Sequence, residues 1–376
     1  MKRLWRIVPS LFALVLAPVL LLQGLANARV TPALIEYNPF WLAELSTALL
    51  AVEQSQDQAV VRSTERAVAM ARSSFAREPL ASDALFVLAL EKGEQGDGEL
   101  LAFTDLAASV DKRNRNLGAL QLEQAASAGQ FARTFAIIDR LAVVHPKLTM
   151  VFVRPLTRVL SQPELLTALH KALERAPTWG PAFWSQVPGQ VEGIEGMYRL
   201  RQMTDVGTSP ESDARLLSAL AGKSLYDDAF AFWSQLHGEN ADRTGFIEGT
   251  ENPPFGWKLT SDGDRSMFED GPNRYNIFIN GQSDGELARQ LVRLDPGQYA
   301  FSATVSPSEQ AKNIDVTLQC AVGKGNERQV RPLTATARWS VSSACRYYWL
   351  ILGGSAWESR TAIRAEIAGI RFSSVN

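Results

Sequence analysis

Two cysteines, Cys320 and Cys345, are the residues whose chemistry the sequence indicates most directly. In a reducing compartment, two lone thiols would carry little information. In an exported protein, a pair within one small β-rich segment favours a disulfide over two free thiols. Closing the loop between them would stabilise the folded state by about 3 kcal/mol. We therefore predict a Cys320–Cys345 disulfide.

No other set of residues has a spacing typical of a reactive site. The three histidines lack metal-ligand spacing, and the sequence contains no nucleophile–histidine–acid set and no glycine-rich phosphate loop. The densest acidic cluster offers hard oxygens for Ca²⁺, but it lacks EF-hand spacing, so a solvated turn is the favoured interpretation. The cluster consists of Asp262, Asp264, Glu269 and Asp270. We expect no catalytic residues, no cofactor and no metal, and therefore a protein that is not an enzyme.

The first 28 residues have the order of an export segment. Basic residues in MKRLWR precede an uncharged apolar run over residues 7–26, as in signal peptides and signal anchors. Small residues in ANA (26–28) fit cleavage after Ala28. The apolar run is also about as long as the roughly 20 residues that span a bilayer. Cleavage and retention both stay open, and both predict that the rest of the chain lies outside the cytoplasm.

Residues 32–245 are predicted to form α-helices joined by short turns. The apolar stripe of ALFVLAL (residues 84–90) follows helical spacing, and similar stripes recur along the region. Glycine turns at positions 96, 129 and 222 separate paired helices, and prolines at 79, 146 and 177 end them.

This pattern resembles tetratricopeptide repeats in degenerate form. Pro79 and Pro146 are separated by about twice the 34-residue repeat length. The usual aromatic position holds aliphatic residues such as Leu85, and residues 181–210 do not fit the period. Small residues occur where paired helices would approach closely, at Ala67, Ala89, Ala132 and Ala229. The resemblance, shared with bacterial cell-envelope repeat proteins, implies an α-solenoid that binds a protein partner.

The segment PTWGPAFW (177–184) concentrates Trp179, Phe183 and Trp184 around two prolines and a glycine. One interpretation is an aromatic groove for a proline-rich or sugar ligand. The favoured interpretation is a loop that packs its rings under the next helix pair.

From residue 252 onward the hydrophobic period changes from 3.6 to 2. RYNIFIN places Tyr275, Ile277 and Ile279 on one face, and NIDVTLQCAV and QYAFSATVS alternate in the same way. CRYYWLIL and AEIAGIRFS are expected to be later strands. Cys320 is in phase with the apolar face of its strand and Cys345 with Trp349, so both sulfur atoms are expected to face one core. We predict an antiparallel β-sandwich of jelly-roll type over residues 252–376.

The boundary between the two regions is NPPFGWKL (252–259). Its prolines cannot continue a helix, and the following residues begin the period of two. In that register Phe255, Trp257 and Leu259 share the inward face, so Trp257 is predicted to be a core residue and not a sugar platform.

The order of features after residue 250 resembles a carbohydrate-binding module. An aromatic segment opens the domain, an RLDPGQY segment (293–299) leads into a strand, and an apolar strand closes it near Phe372. The resemblance implies glycan binding on a sheet face or at loop tips, where exposed rings stack on the apolar face of a sugar. The candidate rings are Tyr348, Trp357, Trp339 and Tyr275. Trp349 and Tyr299 are expected in the core instead.

These observations predict a multidomain α + β protein with three parts: an N-terminal signal or anchor helix (1–28), a tetratricopeptide-like helical domain (32–245) and a β-sandwich (252–376). Its 38 basic and 40 acidic residues nearly cancel, which argues against a nucleic-acid partner. The expected function is a non-enzymatic scaffold in the periplasm or cell envelope of a Gram-negative bacterium, anchored to the inner membrane if the signal is retained. It would bind a protein through its repeats and a glycan or second partner through its sandwich, in polysaccharide assembly or export. The alternative is a polysaccharide-processing enzyme with its active site in the sandwich.

Overall fold

The structure is a computed structural model that describes residues 38–55, 58–95, 100–160, 162–186, 193–238, 246–322, 328–334 and 336–375. It consists of a helical N-terminal region followed by antiparallel sheets, which confirms the predicted α + β class. The predicted signal or anchor segment, residues 1–28, lies outside the described residues. Within the described part, no helix is both long enough and apolar enough to cross a membrane.

The chain divides into two compact units. The first comprises the residues up to Pro155 together with Thr167–Trp179, and the second comprises Leu156–Leu166 together with the residues from Gly180 onward. Twelve α-helices lie in the described part of the chain. They are α1 (Pro39–Ala48), α2 (Glu65–Arg77), α3 (Ser82–Glu94), α4 (Leu100–Val110), α5 (Arg115–Ser127), α6 (Phe131–Val144), α7 (Thr149–Val153), α8 (Pro163–Leu173), α9 (Gly180–Ser185), α10 (Ile194–Met203), α11 (Pro210–Gly222) and α12 (Tyr226–His237).

In the first unit, helices that follow one another in sequence pack against one another through small residues. Ala67 and Ala89 are fully buried, as the repeat pattern predicts, whereas Ala132 is exposed on α6. The closest approach on α5 is at Gly118, where an added Cβ would lie 2.5 Å from a methyl group of Leu141. An antiparallel hairpin of β1 (Ala51–Ser55) and β2 (Gln58–Arg62) interrupts the helices, and the sequence analysis did not predict it.

Helix starts in this unit follow local capping chemistry. The side chain of Asn114 accepts hydrogen bonds from the backbone N–H groups of Asn116 and Leu117, at 3.0 and 3.1 Å, and so caps α5. Gly129 ends the α5–α6 connection with a φ of +67°, which favours glycine. Trp179 is fully buried and stacks on Phe135 with ring centroids 6.0 Å apart, which supports packing over an aromatic groove.

The second unit contains two five-stranded antiparallel sheets that enclose one hydrophobic core. Sheet I has the strand order β10-β7-β12-β5-β4, and sheet II has the order β3-β6-β11-β8-β9. The strands are β3 (Lys258–Leu259), β4 (Arg265–Glu269), β5 (Arg274–Ile279), β6 (Asp284–Arg293), β7 (Gly297–Ser306), β8 (Ile314–Cys320), β9 (Arg328–Pro332), β10 (Ala337–Val341), β11 (Tyr347–Ser355) and β12 (Ile363–Val375).

The core contains the residues that the period-2 pattern assigned to it on β5, β7 and β8. Trp257 is 1 % exposed and belongs to the same core, as predicted. Phe255 is also buried, but its ring packs on Phe230 and Trp233 of α12, at centroid distances of 4.8 and 4.6 Å. The shared inward register predicted for residues 255–259 is therefore wrong for Phe255, because the regular strand begins only at Lys258.

Helix α12 covers one end of the outer face of sheet II. The ring of Phe230 packs on Tyr347 at 5.4 Å, and the guanidinium of Arg293 lies 5.2 Å from the Phe230 ring centre. The Tyr347 hydroxyl donates a hydrogen bond to Asp227 on the same helix. The last helices of the chain thus belong to the same compact unit as the sheets.

Candidate functional site

Three of the four candidate sugar-stacking rings lie in the core. Tyr348, Trp339 and Tyr275 are 2, 1 and 0 % exposed, so no surface ligand can reach the faces of their rings. The Trp339 indole N–H donates to the backbone carbonyl of Gln329 at 3.2 Å, and the Tyr275 hydroxyl donates to that of Glu248 at 2.5 Å. Burial raises the pKa of Tyr275 to about 12, with smaller effects from the nearby carboxylates of Glu269 and Glu248. The prediction that these three rings are exposed on the surface is therefore wrong.

Trp357, the fourth candidate, is 68 % exposed. It lies in the turn between β11 and β12, where Ala356 before it is buried and anchors the turn. A single exposed apolar side chain is ordinary on a protein surface, so the interest of Trp357 lies in the turn that holds it and in its neighbours.

Two loops meet beside Trp357, and together we call them the loop-tip cluster: Asn280–Ser283 between β5 and β6, and Ala356–Thr361 between β11 and β12. The backbone N–H of Gln282 donates to the carbonyl oxygens of Ala356 and Ser359, both at 3.0 Å. The N–H of Ala356 donates in return to the carbonyl of Ser283 at 2.8 Å. These bonds hold the turn that carries Trp357 against the neighbouring loop.

Gly281 makes this close approach possible. A Cβ added at this position would lie 2.7 Å from the carbonyl oxygen of Arg360, which is backbone and cannot move aside cheaply. The Asn280–Gly281 dipeptide is also a typical hairpin-turn signal. Its second role, the approach to the β11–β12 turn, depends on tertiary structure and has no local signal.

A third segment adjoins the cluster and supplies polar groups. The N–H of Asn280 donates to the carbonyl of Asp264 at 2.8 Å. Hydrogen bonds lower the pKa of Asp262, first from the Arg265 side chain and then from the N–H groups of Asp264 and Arg265. The carboxylate of Asp262 thus closes its own turn, in line with the solvated-turn interpretation. Among the described residues, no group of histidine, cysteine, aspartate and glutamate side chains could hold a metal ion.

The same loops also carry exposed polar side chains. Gln282, Glu358 and Arg360 are exposed on them, and Asp264 is exposed on the adjoining turn. A sugar has an apolar C–H face and an edge of hydroxyl groups. A flat aromatic ring can stack on the C–H face, while nearby hydrogen-bond donors and acceptors can bind the hydroxyls.

The outer face of sheet II carries a group of half-buried aromatic and charged side chains that no pattern in the sequence brought together. Trp349 lies on this face and not in the core, with the guanidinium of Arg289 at 5.1 Å from its ring centre. Gly353 on β11 pairs with Glu286 on β6 on one side and with Asp315 on β8 on the other. A Cβ on Gly353 would lie 2.8 Å from a carboxylate oxygen of Asp315, so the carboxyl leans over the glycine.

Asp315 on this face has an unusual electrostatic environment. Burial raises the pKa of its carboxyl, and the hydrogen bond from Thr317, 3.4 Å long, and the charge of Arg328 only partly offset that effect. The arginine over Trp349 covers one face of that indole, which makes it less suited to sugar stacking than Trp357.

The predicted disulfide is confirmed. Cys320 and Cys345 are bonded with an S–S distance of 2.01 Å and a Cα–Cα distance of 6.0 Å. The phase argument for Cys345 is wrong, because β11 begins at Tyr347 and its inward residues are Tyr348, Leu350 and Leu352. Cys345 reaches the core from the turn before the strand. The bond indicates an oxidising, extracytoplasmic compartment.

A comparison with protein-family models gives no match, and a search of curated protein sequences gives none either.

Proposed function

We propose that this protein is a non-enzymatic, exported scaffold of the bacterial cell envelope whose sheet domain binds a glycan at the loop-tip cluster. The helical repeats would bind a protein partner, and the two together would serve the assembly or export of an envelope polysaccharide. The observation that carries the glycan part is Trp357, a ring 68 % exposed on a turn held by backbone hydrogen bonds to a second loop.

A fixed ring is what sugar recognition requires. Binding costs less conformational entropy when the backbone that carries the aromatic group is already held in place. The close approach at Gly281 and the hydrogen bonds of Gln282 hold the turn that carries Trp357. The polar groups of Gln282, Glu358 and Arg360 would accept and donate hydrogen bonds to the hydroxyls. Export is supported by the disulfide and by the predicted signal segment.

The protein-binding part is supported by exposed aliphatic side chains on the helical unit. Leu106 and Val110 of α4 are 67 and 40 % exposed and lie one helical turn apart, on the same side of the helix. A polar cluster spans the neighbouring helices, in which Gln121 and Arg133 both donate to Asp105. Apolar groups next to charge-assisted bonds are typical of protein interaction surfaces.

The alternative function, a polysaccharide-processing enzyme, is favoured by one observation on sheet II. Asp315, with its raised pKa, and Glu286 are separated by one strand, which corresponds to about 10 Å between their backbones. Inverting glycosidases hold an acid and a base at a comparable separation. Against this alternative, Glu286 is already paired with Arg289 at 3.5 Å, which weakens it as a base.

A glycan array with the full chain tests the proposal, together with an assay for released sugar products. We expect binding without turnover, and we expect Trp357→Ala to weaken the affinity at least tenfold, as removal of a stacking platform should. Trp357→Phe should keep part of the affinity because it keeps a ring. Phe40→Ala, which removes a ring 54 % exposed on α1, is the matched control and should bind as the parent does.

A second pair of variants tests whether the loop geometry matters. Gly281→Ala should weaken binding because its Cβ would push the two loops apart. Gly263→Ala, on the adjoining turn, meets no atom within 4 Å and should leave binding unchanged. Product formation abolished by Asp315→Asn would establish the enzyme instead. Binding that survives both Trp357→Ala and Gly281→Ala would refute the loop-tip site.

A further inference from the structure

The outer face of sheet I carries arginines along its whole length. Arg338 on β10, Arg371 and Arg364 on β12 and Arg274 on β5 are all exposed and project from the side opposite the core. We call this surface the arginine face. Its rows of paired residues extend over about 27 Å at the rise of a β-strand.

A bulge in β12 brings two of these arginines to the same side. Positions 364 and 371 are an odd number of residues apart, so a regular strand would place them on opposite faces. The register between β12 and β7 shifts between Ala368 and Arg371, and Gly369 adopts a φ of +61° there. The bulge is held by Asn273, whose side chain accepts from the N–H of Ile370 and donates to its carbonyl oxygen, both at 3.0 Å.

The charge on the arginine face is largely unbalanced. Two carboxylates adjoin it at the Arg274 end: Glu366 lies 3.7 Å from the Arg274 guanidinium, and Asp270, directly after β4, accepts a hydrogen bond from the outward side chain of Asn276 at 2.9 Å. Arg364 lies over the ring of Phe278, 5.9 Å from its centre. The guanidinium groups of Arg338 and Arg371 have no hydrogen bond or ion pair with any described residue. Three cations therefore remain available, although the whole chain has a net charge of −2.

Hydroxyl groups fill the space between the arginines. The outward residues of β7 include Ser302, Thr304 and Ser306, which pair with Arg371, Ala368 and Glu366 of β12. At the far edge, Phe268 on β4 is 52 % exposed, opposite Asn276. The surface thus alternates exposed positive charges with small hydroxyl and amide groups, and it has an exposed phenylalanine ring at its β4 edge.

We propose that the arginine face binds an acidic polysaccharide, with the carboxylates of uronic-acid units on Arg338, Arg371 and Arg364 and the sugar hydroxyls on the serine and threonine side chains. The planar guanidinium group matches a carboxylate in two parallel hydrogen bonds. The regular spacing along about 27 Å suits an extended polymer better than a single sugar. The face adjoins the loop-tip cluster at Arg364, but Arg338 and Arg371 lie toward its other end, and the site does not require Trp357.

A membrane surface fits the same positive charge less well. Interfacial binding also needs large apolar side chains that insert among the lipids. The two large rings of this face, Phe268 and Phe278, lie on β4 and β5 at one edge, whereas Arg371 pairs with a serine and the neighbouring outward residues of β7 and β12 are serine, threonine and alanine. A polymer with periodic carboxylates uses both the charges and the hydroxyls of the face.

Binding of polygalacturonate oligomers to the full chain tests the proposal, with neutral dextran of similar length as the reference polymer. The double variant Arg338→Gln/Arg371→Gln should weaken the affinity for polygalacturonate roughly tenfold at low salt. High salt should weaken parental binding, since the contacts are ionic and exposed. The matched control is Arg328→Gln/Arg331→Gln, which removes two exposed arginines from β9 of sheet II and should bind as the parent does.

The outcomes separate this inference from the proposed function. Equal binding by parent and double variant, or equal losses in both double variants, would overturn the arginine face as a site. Binding to phosphatidylglycerol vesicles but not to polygalacturonate would assign the face to lipid instead. Loss of polygalacturonate binding in Trp357→Ala alone would move the acidic ligand to the loop-tip cluster. Arginine-dependent polygalacturonate binding with a silent glycan array would support the face and reject the loop-tip site.

Discussion

At the scale of single residues, Asp315 is the clearest case of a group held in an unfavourable environment. Its carboxyl is half-buried on sheet II, next to Gly353, and the hydrogen bond from Thr317 is long at 3.4 Å. Burial therefore raises the pKa above the ordinary value of an aspartate. The folded state binds this proton more tightly than the unfolded chain does, so stability falls as the pH rises through the raised pKa.

Asp315→Asn should consequently stabilise the protein at neutral pH. The amide keeps an acceptor for Thr317 and removes the desolvated charge, with an expected gain within about 1 kcal/mol because the side chain retains solvent contact. The gain should shrink as the pH falls below about 4, the ordinary pKa of an aspartate, because the parental carboxyl then becomes protonated in both states. Thermal unfolding across this pH range measures it.

The control for this prediction is Asp284→Asn, which neutralises an exposed carboxyl on β6 of the same sheet. It should show no comparable gain at neutral pH. A stabilisation by Asp315→Asn that is the same at every pH would contradict the electrostatic explanation and point to packing.

Side chains alternate between the two faces of a strand, and this alternation explains which candidate ring residues could be identified from the sequence. Tyr348 and Trp349 are neighbours, so one of them must face inward and the other outward. From the sequence, Trp349 was expected to face inward and Tyr348 outward, and the structure shows the reverse. A shift of one residue in the assumed phase exchanges every side chain of a strand between its two faces. Trp357 escaped this error because a turn, and not a strand phase, determines its exposure.

At the scale of elements, helix α12 explains why the parity of β11 was hard to determine. Tyr347 and Tyr348 are both buried, since the core covers one and α12 covers the other. The segment CRYYWLIL is therefore apolar on both faces, and alternation gives no guidance. Strands with one solvated face, such as β5 and β7, were assigned to the correct faces from the sequence alone.

The contact between α12 and sheet II should contribute strongly to stability. Phe230 is 2 % exposed and touches Phe255, Tyr347 and Arg293, so Phe230→Ala should cost about 3–5 kcal/mol through the cavity that it leaves. Denaturant unfolding of the second unit measures this loss. Gln235→Ala, at an exposed position of the same helix, should change stability little.

Truncation gives an independent measure of the same contact. A fragment of residues 252–376 would leave Phe255 and Tyr347 without their cover, and we expect it to aggregate. A fragment of residues 156–376 retains α12 and the whole second unit and should stay soluble. If the shorter fragment is soluble and as stable as the longer one, the helix does not belong energetically to the sheet unit.

The bulge in β12 changes which side chains of that strand face outward. The sequence contains a sign of it, because the apolar residues change from odd positions up to Ile367 to even positions from Ile370. That change of parity places Arg371 beside Arg364 on one face. The partner strand that completes the face cannot be read from the same signal, because strand order depends on long-range pairing.

At the scale of the whole molecule, the class of fold was predictable and the locations of its surfaces were not. A helical period gives way to a period of two, and this change alone indicates helices followed by antiparallel sheets. The loop-tip cluster instead joins segments about 75 residues apart, through the bonds between Gln282 and Ala356. Such contacts depend on strand order, which hydrophobic pattern does not specify. The disulfide was predictable because cysteine number and compartment both favoured it.

The central claim is that a glycan binds at the loop-tip cluster, and hydrogen–deuterium exchange of the full chain tests it most directly. The exchange should be compared with and without a neutral oligosaccharide selected on the array, so that the arginine face does not contribute. We predict slower exchange in residues 280–283 and 356–361, and no slowing when the variant is Trp357→Ala. Slower exchange confined to other segments, with both loops unchanged, would contradict the claim.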